Sequence, residues 1–232
     1  MEVKKLTYYI NQYKEFLKRD RDFHEIYTWE SLFHFKENWD IDAPDFGAMY
    51  DKSLQNNRTR RLWKRESWTP KEMMLKFCTI QPDFVRRMFS DLFDESKSVE
   101  TRISRFKFGC DELLREYKDS QKISIENNHY HDDFQMIMFY LTCQFPQKYT
   151  FYSYPTFSKM MSLLGITDIP GPYDIERFIK LTKIMNTFLQ KDEELMKTQS
   201  NRLDINRLPP NVGSLIVHDF YTACATIGFP TP

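Results

Sequence analysis

Glycine is scarce in this chain of 232 residues, and its six glycines, at positions 47, 109, 165, 171, 213 and 228, are never clustered. Phosphate loops of the GxxxxGK[ST] type and dinucleotide fingerprints need closely spaced glycines, because a side chain would keep the backbone away from the phosphates. The motifs GxSxG and HExxH are missing as well. The sequence therefore predicts no nucleotide hydrolysis by this chain alone, no catalytic residues and no cofactor.

Cysteines and long apolar runs are also few. The four cysteines, at positions 78, 110, 143 and 224, have no CxxC spacing, so we expect neither a zinc site nor a disulfide framework, but reduced thiols. No window approaches 18 uncharged apolar residues, and the N-terminus lacks the apolar core of a signal peptide. These absences predict a cytoplasmic protein without a membrane partner.

Charge of one sign is not in excess. The 33 basic side chains balance 33 acidic ones, so the formal net charge is zero. Any nucleic-acid site must therefore be a local patch. Aromatic residues, in contrast, are abundant at 16%, with 20 Phe and 13 Tyr. A core rich in Phe and Met accounts for most of them, and exposed rings could serve a binding surface.

Apolar residues recur with helical spacing along most of the chain, which predicts a mainly α multi-helix domain. At most one short strand or extended aromatic segment is expected, near residues 149–154. Pro44, Pro70 and Pro82 suit the first turn of helices, with Thr69 as a cap. Residues 118–128 and 200–213 are expected to be irregular. The predicted helices start or run at 3–17, 26–39, 44–54, 70–80, 82–92, 99–117, 132–143, 157–164, 175–189 and 215–224.

The strongest break in the chain is Ile169-Pro170-Gly171-Pro172. It suggests a main helical domain over 1–165 and a helical appendage over 172–232 that leads into a linker. A single domain over 1–232 is an equally good interpretation.

One segment combines cations with indole rings. Five cations fall within eight residues and alternate with two tryptophans: Arg58, Arg60, Arg61, Trp63, Lys64, Arg65 and Trp68. Cations can neutralise phosphates and indoles can stack on bases, so these residues are the candidate nucleic-acid contacts. The competing interpretation is a solvated basic loop whose tryptophans are in the core.

Three further groups of residues, and the single residue His34, are also candidate functional sites, and the sequence supports each of them less strongly. The run His129-Tyr130-His131-Asp132-Asp133 lacks helical metal-ligand spacing, and Asp132 is better explained as a helix cap. The residues Asp91, Asp94, Glu95 and Lys97 fit a surface helix end better than a nuclease centre. His34 is expected to be hydrogen-bonded and half-buried. The aromatic residues Tyr149, Phe151, Tyr152, Tyr154 and Phe157 suit a stacking surface and a core equally well.

The least generic stretch is the run WESLFHFKENWDIDAPDF at 29–46, followed by MFSDLFDESK at 88–97, Arg102-Ile103, His129-Tyr130 and FPQKYTFY at 145–152. These blocks resemble the N-terminal module of bacterial McrB-like restriction proteins, over about residues 25–160. Trp29, Trp39 and Phe46 in it are explained most simply as core anchors. The resemblance is weakest at 58–68, so it does not extend to DNA contacts there.

The resemblance implies a recognition module of an antiviral restriction system. In such systems the module selects the target, often modified DNA, an AAA-type motor domain assembles into rings, and a partner nuclease cuts. The first hypothesis is therefore a non-catalytic module that binds DNA, modified or single-stranded, and reaches a nuclease subunit through a motor domain that this chain lacks. The alternative is a module that recognises a protein partner, and an independent enzyme has the least support.

Overall fold

In the computed structural model, the described residues are 2–19, 25–55, 62, 70–121, 134–209 and 213–232. Within them the chain forms eleven helices. They are α1 (Val3–Arg19), α2 (Ile26–Asn38), α3 (Phe46–Leu54), α4 (Pro70–Ile80), α5 (Pro82–Phe93), α6 (Val99–Gln121), α7 (Gln135–Gln144), α8 (Tyr154–Leu163), α9 (Ile175–Gln190), α10 (Glu193–Ile205) and α11 (Leu215–Thr226).

The mainly α prediction is confirmed. No strand occurs in the parts of the chain that the structure describes, and residues 149–153 form an extended link between α7 and α8. Among the described residues, none of the helices is both long enough and apolar enough to cross a membrane.

Local sequence signals explain several helix starts. The side chains of Asp45, Asp174 and Asp192 each accept a hydrogen bond from the backbone N–H three residues later. This satisfies a donor that the first helical turn leaves without a partner. Pro70 and Pro82 each occupy the first position of a helix, where the missing N–H costs nothing. Thr69, the expected cap of α4, lies outside the described residues.

Three details of the helix prediction were wrong. Residues 200–205 were expected to be irregular but belong to α10. This helix is rich in polar residues, so its sequence shows little apolar periodicity. Helix α6 continues through residues 118–121, which were expected to be loop. Pro44 precedes α3 instead of entering its first turn, because Asp45 is the N-cap.

The contacts divide the chain into two compact units. Unit one comprises Met1–Trp29 and Phe145–Pro232, and unit two comprises Glu30–Gln144. Both sides of the break at 165–172 thus lie in unit one. The expected division at that break concerns independently folding domains, which this grouping does not test, and it stays a prediction.

Unit one is built around α11. This helix packs on α8, α9 and α1, and α1 also packs on α10. At the centre, the Asp219 carboxylate accepts hydrogen bonds from Tyr13 Oη and Arg202 Nη1, both at 2.5 Å. The side chains of Arg202 and Asp219 have no exposed surface. A buried ion pair therefore joins α10 to α11, and the Tyr13 hydrogen bond joins α1 to the same carboxylate.

Unit two has an aromatic core centred on Phe89 of α5. This ring meets Trp39, Phe106 and Tyr140 edge-on, at centroid distances of 5.1, 5.1 and 4.9 Å. Helix α5 packs on α3, α4, α6 and α7. The hydroxyls of Tyr50 and Tyr140 share a buried hydrogen bond of 2.7 Å, so the polar end of each ring is satisfied inside the core.

Candidate functional site

The candidate DNA contacts form the basic segment, residues 58–68. Only Leu62 within it belongs to the described part of the chain, and the candidate residues Arg58, Arg60, Arg61, Trp63, Lys64, Arg65 and Trp68 lie outside it. Leu62 is buried, and its carbonyl accepts a hydrogen bond of 3.3 Å from Gln135 Nε2 at the start of α7. This apolar residue therefore ties the middle of the segment to unit two.

The helices on either side of the basic segment are fixed to each other. Helices α3 and α4 pack together, and Lys71 Nζ lies 2.5 Å from Asp51 Oδ1. Lys71 is almost fully buried, so the surrounding atoms hold this ion pair more firmly than an exposed pair would be held. The described residues on either side of the segment, up to Gln55 and from Pro70, thus belong to unit two.

A second feature of unit two is an open pocket of about 580 Å³ beside Trp39, which we call the Trp39 pocket. It is lined by Phe35, Lys36, Trp39, Asp40, Ile41, Ser90, Phe93, Cys143 and Gln144. The Trp39 indole stacks on Phe35, with centroids 4.7 Å apart and planes inclined by 15°. Phe93 meets the indole edge-on at 5.9 Å. Trp39 and Phe93 are both half-buried, so aromatic surface faces the pocket.

The chain around the Trp39 pocket is held by hydrogen bonds. The Arg86 guanidinium donates to the carbonyls of Ile41 and Ala43, the latter at 2.7 Å. The Asp40 carboxylate accepts a bond of 3.0 Å from the Asp42 N–H. These bonds fix the link between α2 and α3, and therefore the position of Asp40 at the pocket.

The Cys143 thiol on this wall is free and buried. Burial raises the pKa of Cys143 well above its usual range, so the thiol stays protonated at neutral pH. What the pocket offers is aromatic surface with Lys36, Asp40 and Gln144 at its edge. Such a wall can stack on a planar ring and donate or accept hydrogen bonds.

The three expected core anchors have different positions. Trp29 and Phe46 are each only 1% exposed, which confirms the expectation for both. The Arg202 guanidinium lies over the Trp29 ring at 5.3 Å, so this tryptophan also stabilises a buried charge. Trp39 packs on the core rings Phe35 and Phe89, as expected of an anchor, but it is only half-buried and also lines a pocket.

His34 is half-buried, as expected, and it has a structural role. Its Nε2–H donates a hydrogen bond of 2.8 Å to the carbonyl of Lys52. A carbonyl can only accept, which assigns the proton to Nε2. The bond joins α2 to the end of α3.

The acidic residues near position 94 form the turn between α5 and α6. Lys97 Nζ lies 2.9 Å from carboxylate oxygens of both Asp91 and Asp94. Asp94 also accepts bonds from the N–H and hydroxyl of Ser96. In the described residues no cluster of His, Cys, Asp and Glu could hold a metal ion, and residues 129–133 lie outside them.

Four of the five aromatic residues at 149–157 belong to the core, and the fifth, Tyr154, is half-buried. Tyr149, Phe151, Tyr152 and Phe157 are at most 7% exposed. The Tyr152 hydroxyl donates to the Pro172 carbonyl at 2.9 Å. Of the two interpretations left open by the sequence, burial favours the core, and these rings offer no exposed stacking surface.

Two features were not found from the sequence. The Trp39 pocket was missed because helical spacing assigns Trp39 to the core, although the neighbouring Asp40 marks the end of α2. The ion pair between Arg202 and Asp219 was missed because it joins residues of two helices, one of which was itself not predicted. No family model, no curated protein and no solved structure matches this chain. The resemblance to McrB-like modules therefore stays a prediction.

Proposed function

We propose that this chain is a non-catalytic recognition module that binds DNA, with the basic segment as its phosphate contact. The observation that supports this proposal is the concentration of five cations at residues 58–65, between two helices that an ion pair and direct packing hold together.

The basic segment differs in charge from the rest of unit two. Outside residues 58–65, acidic side chains outnumber basic ones in unit two. Phosphates are therefore attracted to one segment and repelled by most of the remaining surface of this unit. Such a distribution favours a small contact with a defined position over general adhesion to nucleic acid.

In the proposed function the Trp39 pocket receives a base. Its volume of about 580 Å³ is within the range of small-ligand sites, and an indole face is a good stacking partner for any base. Hydrogen bonds from Gln144 or to Asp40 at the edge would then distinguish one base from another. Trp39 lies in the run that carries the resemblance to McrB-like modules, and those modules often select modified DNA.

The larger assembly is part of the same proposal. A motor domain in a longer protein, or on a separate chain, would supply nucleotide hydrolysis, and a nuclease subunit would cut. This chain would select the target for a restriction or antiviral defence system and perform no chemistry itself.

Fluorescence anisotropy of the purified chain with labelled DNA tests the proposal. The probes are an unmodified duplex, the same duplex with 5-methylcytosine, and a single strand of equal length, each at 50 and 200 mM salt. We expect binding to at least one probe that weakens steeply with salt, because bound phosphates release counterions. No binding to any probe at low salt and high protein concentration would refute the proposal and leave recognition of a protein as the better hypothesis.

A further inference from the structure

The α5–α6 face of unit two carries an exposed apolar groove. Phe108 on α6 is 66% exposed, the largest exposure among the large hydrophobic residues of the described chain. It borders an open groove of about 440 Å³. The apolar side of this Phe108 groove is formed by Phe84, Met88, Phe106, Phe108 and Gly109.

Close packing of the two helices shapes the groove. A Cβ atom on Gly109 would lie 2.8 Å from the sulfur of Met88, so the missing side chain lets α6 approach α5 at this point. Phe106 fills the core below, where it is 1% exposed. The groove is therefore a preformed depression with a firm base, and Phe108 stands at its edge.

Two arginines of the groove have no acidic partner in the part of the chain that the structure describes. Arg87 of α5 and Arg105 of α6 are both exposed, and among the described residues no carboxylate pairs with either guanidinium. Arg87 lies over the Phe84 ring at 5.7 Å instead. The neighbouring Asp91 cannot compensate, because it is paired with Lys97.

Acidic residues on the same face oppose a nucleic acid as the occupant. An adjoining groove shares Phe84, Arg87 and Phe108 and continues along α6. Its other lining residues include Glu112, Glu116 and Asp119. Glu112 pairs with Arg115 at 2.6 Å, but Glu116 and Asp119 have no ion pair within the described residues. They would repel a strand that carries a phosphate at every nucleotide, whereas a segment with carboxylates only beside Arg87 and Arg105 would avoid most of this repulsion.

We propose that the Phe108 groove binds an amphipathic segment of a protein partner, in which a large apolar side chain is flanked by carboxylates. The apolar side chain would pack between Phe108, Met88 and Phe84, and the carboxylates would pair with Arg87 and Arg105. Helices laid in grooves use such apolar anchors with charged flanks. This proposal goes beyond DNA binding and does not depend on it.

Selection of peptides on the whole chain tests the proposal. The probes are the members of a displayed library of random 16-residue peptides, and the enriched peptides are then labelled and their affinities measured by anisotropy. We expect enriched peptides to carry a large apolar residue with Asp or Glu within one helical turn. Phe108→Ser should weaken their binding at least about tenfold, because exposed aromatic anchors dominate such interfaces.

A charge exchange makes the test specific. Arg105→Glu should weaken the acidic peptides by a similar factor, and replacing the peptide Glu by Lys should restore binding to this variant alone. Tyr173→Ser and Lys183→Glu are matched controls on unit one, with a 61% exposed aromatic residue and an exposed cation, and both should bind normally. Circular dichroism melting curves of all variants should coincide with that of the parent.

Three results would overturn the proposal. The first is a selection without enriched peptides, or with peptides that bind Phe108→Ser as well as the parent. The second is self-association in sedimentation experiments that Phe108→Ser abolishes, which would assign the groove to a second copy of this chain. The third is a loss of DNA binding in Arg87→Glu and Arg105→Glu, which would assign this face to nucleic acid.

Discussion

Asp219 is a carboxylate with no exposed side-chain surface. Hydrogen bonds from its neighbours offset the free-energy cost of burying its charge. Tyr13 and Arg202 both donate to the same oxygen at 2.5 Å. Burial, with Asp219 beside it, raises the pKa of Tyr13 well above its usual range, so this hydroxyl keeps the proton that it donates. A buried charge is strongly destabilising without such partners.

Removing the Tyr13 hydroxyl should therefore destabilise the protein measurably. We expect Tyr13→Phe to lower the free energy of unfolding by about 1–3 kcal/mol, because Asp219 loses a buried hydrogen-bond donor. Tyr8→Phe is the matched control on α1, since Tyr8 is half-buried, and it should change stability by less than about 0.5 kcal/mol. Urea unfolding measures both. Equal effects of the two substitutions would show that the buried hydrogen bond contributes nothing.

The four cysteines give unit one and unit two a shared sensitivity to alkali. All four are free and buried. Burial raises the pKa of each of three thiols, those of Cys110, Cys143 and Cys224, well above the usual range of a cysteine. For Cys78, burial and the nearby Asp45 raise the pKa to about 12 from the ordinary 9.0. The unfolded chain therefore releases these protons at a lower pH than the folded chain does.

The free energy of unfolding should therefore fall as the pH rises into the alkaline range. Below about pH 9 the thiols are protonated in both states, and their contribution to stability is complete. Between pH 9 and 12 the unfolded state binds fewer protons, so the unfolding free energy should fall by up to about 1.4 kcal/mol per pH unit for each thiol. Urea unfolding at pH 8 and 10.5 measures this loss.

Thiol labelling provides the control for that experiment. At pH 8, Ellman's reagent should label four thiols at once in urea and none rapidly in the folded protein, because only exposed thiolates react. Fast labelling of the folded protein, or equal stability at the two pH values, would contradict the assignment of four buried protonated thiols.

At the scale of elements, several helices begin through hydrogen bonds between residues that are close in the sequence, whereas α11 begins where a distant segment holds it. Asp45, Asp174 and Asp192 cap helices through bonds that span three residues, and Pro82 begins α5 where the sequence predicts a start. The start of α11 depends instead on distant backbone. The Ser214 N–H donates 2.8 Å to the carbonyl of Pro146, which precedes it by 68 positions in the chain.

Gly213 should be essential to that junction. Its φ is +54°, and a Cβ there would lie 2.5 Å from the Pro146 carbonyl oxygen. We expect Gly213→Ala to destabilise by at least about 1–3 kcal/mol, from backbone strain plus this clash. Gly171→Ala is the matched control, because nothing lies within 4 Å of a Cβ at that position. It should be neutral or stabilising by up to about 1 kcal/mol.

Thermal unfolding of the two glycine variants measures the difference. A Gly213→Ala variant as stable as Gly171→Ala would mean that the contact with Pro146 does not hold α11 in place. The pattern Ile169-Pro170-Gly171-Pro172 was the most conspicuous break in the sequence, yet Gly171 has open space around it. Gly213, which is constrained, follows the less conspicuous pair Pro209-Pro210.

At the scale of the whole molecule, the net charge is zero, but the basic side chains are unevenly distributed along the sequence. The salt dependence of DNA binding would measure the effect of this distribution. Five cations limit the segment to about five phosphate contacts, so the slope of log affinity against log salt should not exceed about 4.5 in magnitude. Replacing Arg60, Arg61 and Lys64 with Ala should weaken binding to all sequences alike and reduce that slope by about three.

A matched triple variant distinguishes local contact from total charge. Lys180, Lys183 and Lys197 are exposed lysines of α9 and α10, and their replacement with Ala removes the same formal charge from unit one. The affinity and salt slope of this control should be close to those of the parent. An unchanged slope in the variant of the basic segment would exclude those three residues as phosphate contacts.

The sequence by itself determined the helical class, most helix positions and the assignment of most aromatic residues to a core, because periodicity, caps and proline positions act over a few residues. It also located the basic segment, since charge can be counted without a fold. Only the tertiary structure grouped residues 1–29 with 145–232, exposed Trp39 at a pocket and Phe108 at a groove, and paired Arg202 with Asp219. Those features depend on which helices meet, and contacts between residues far apart in the chain leave no periodic trace in it.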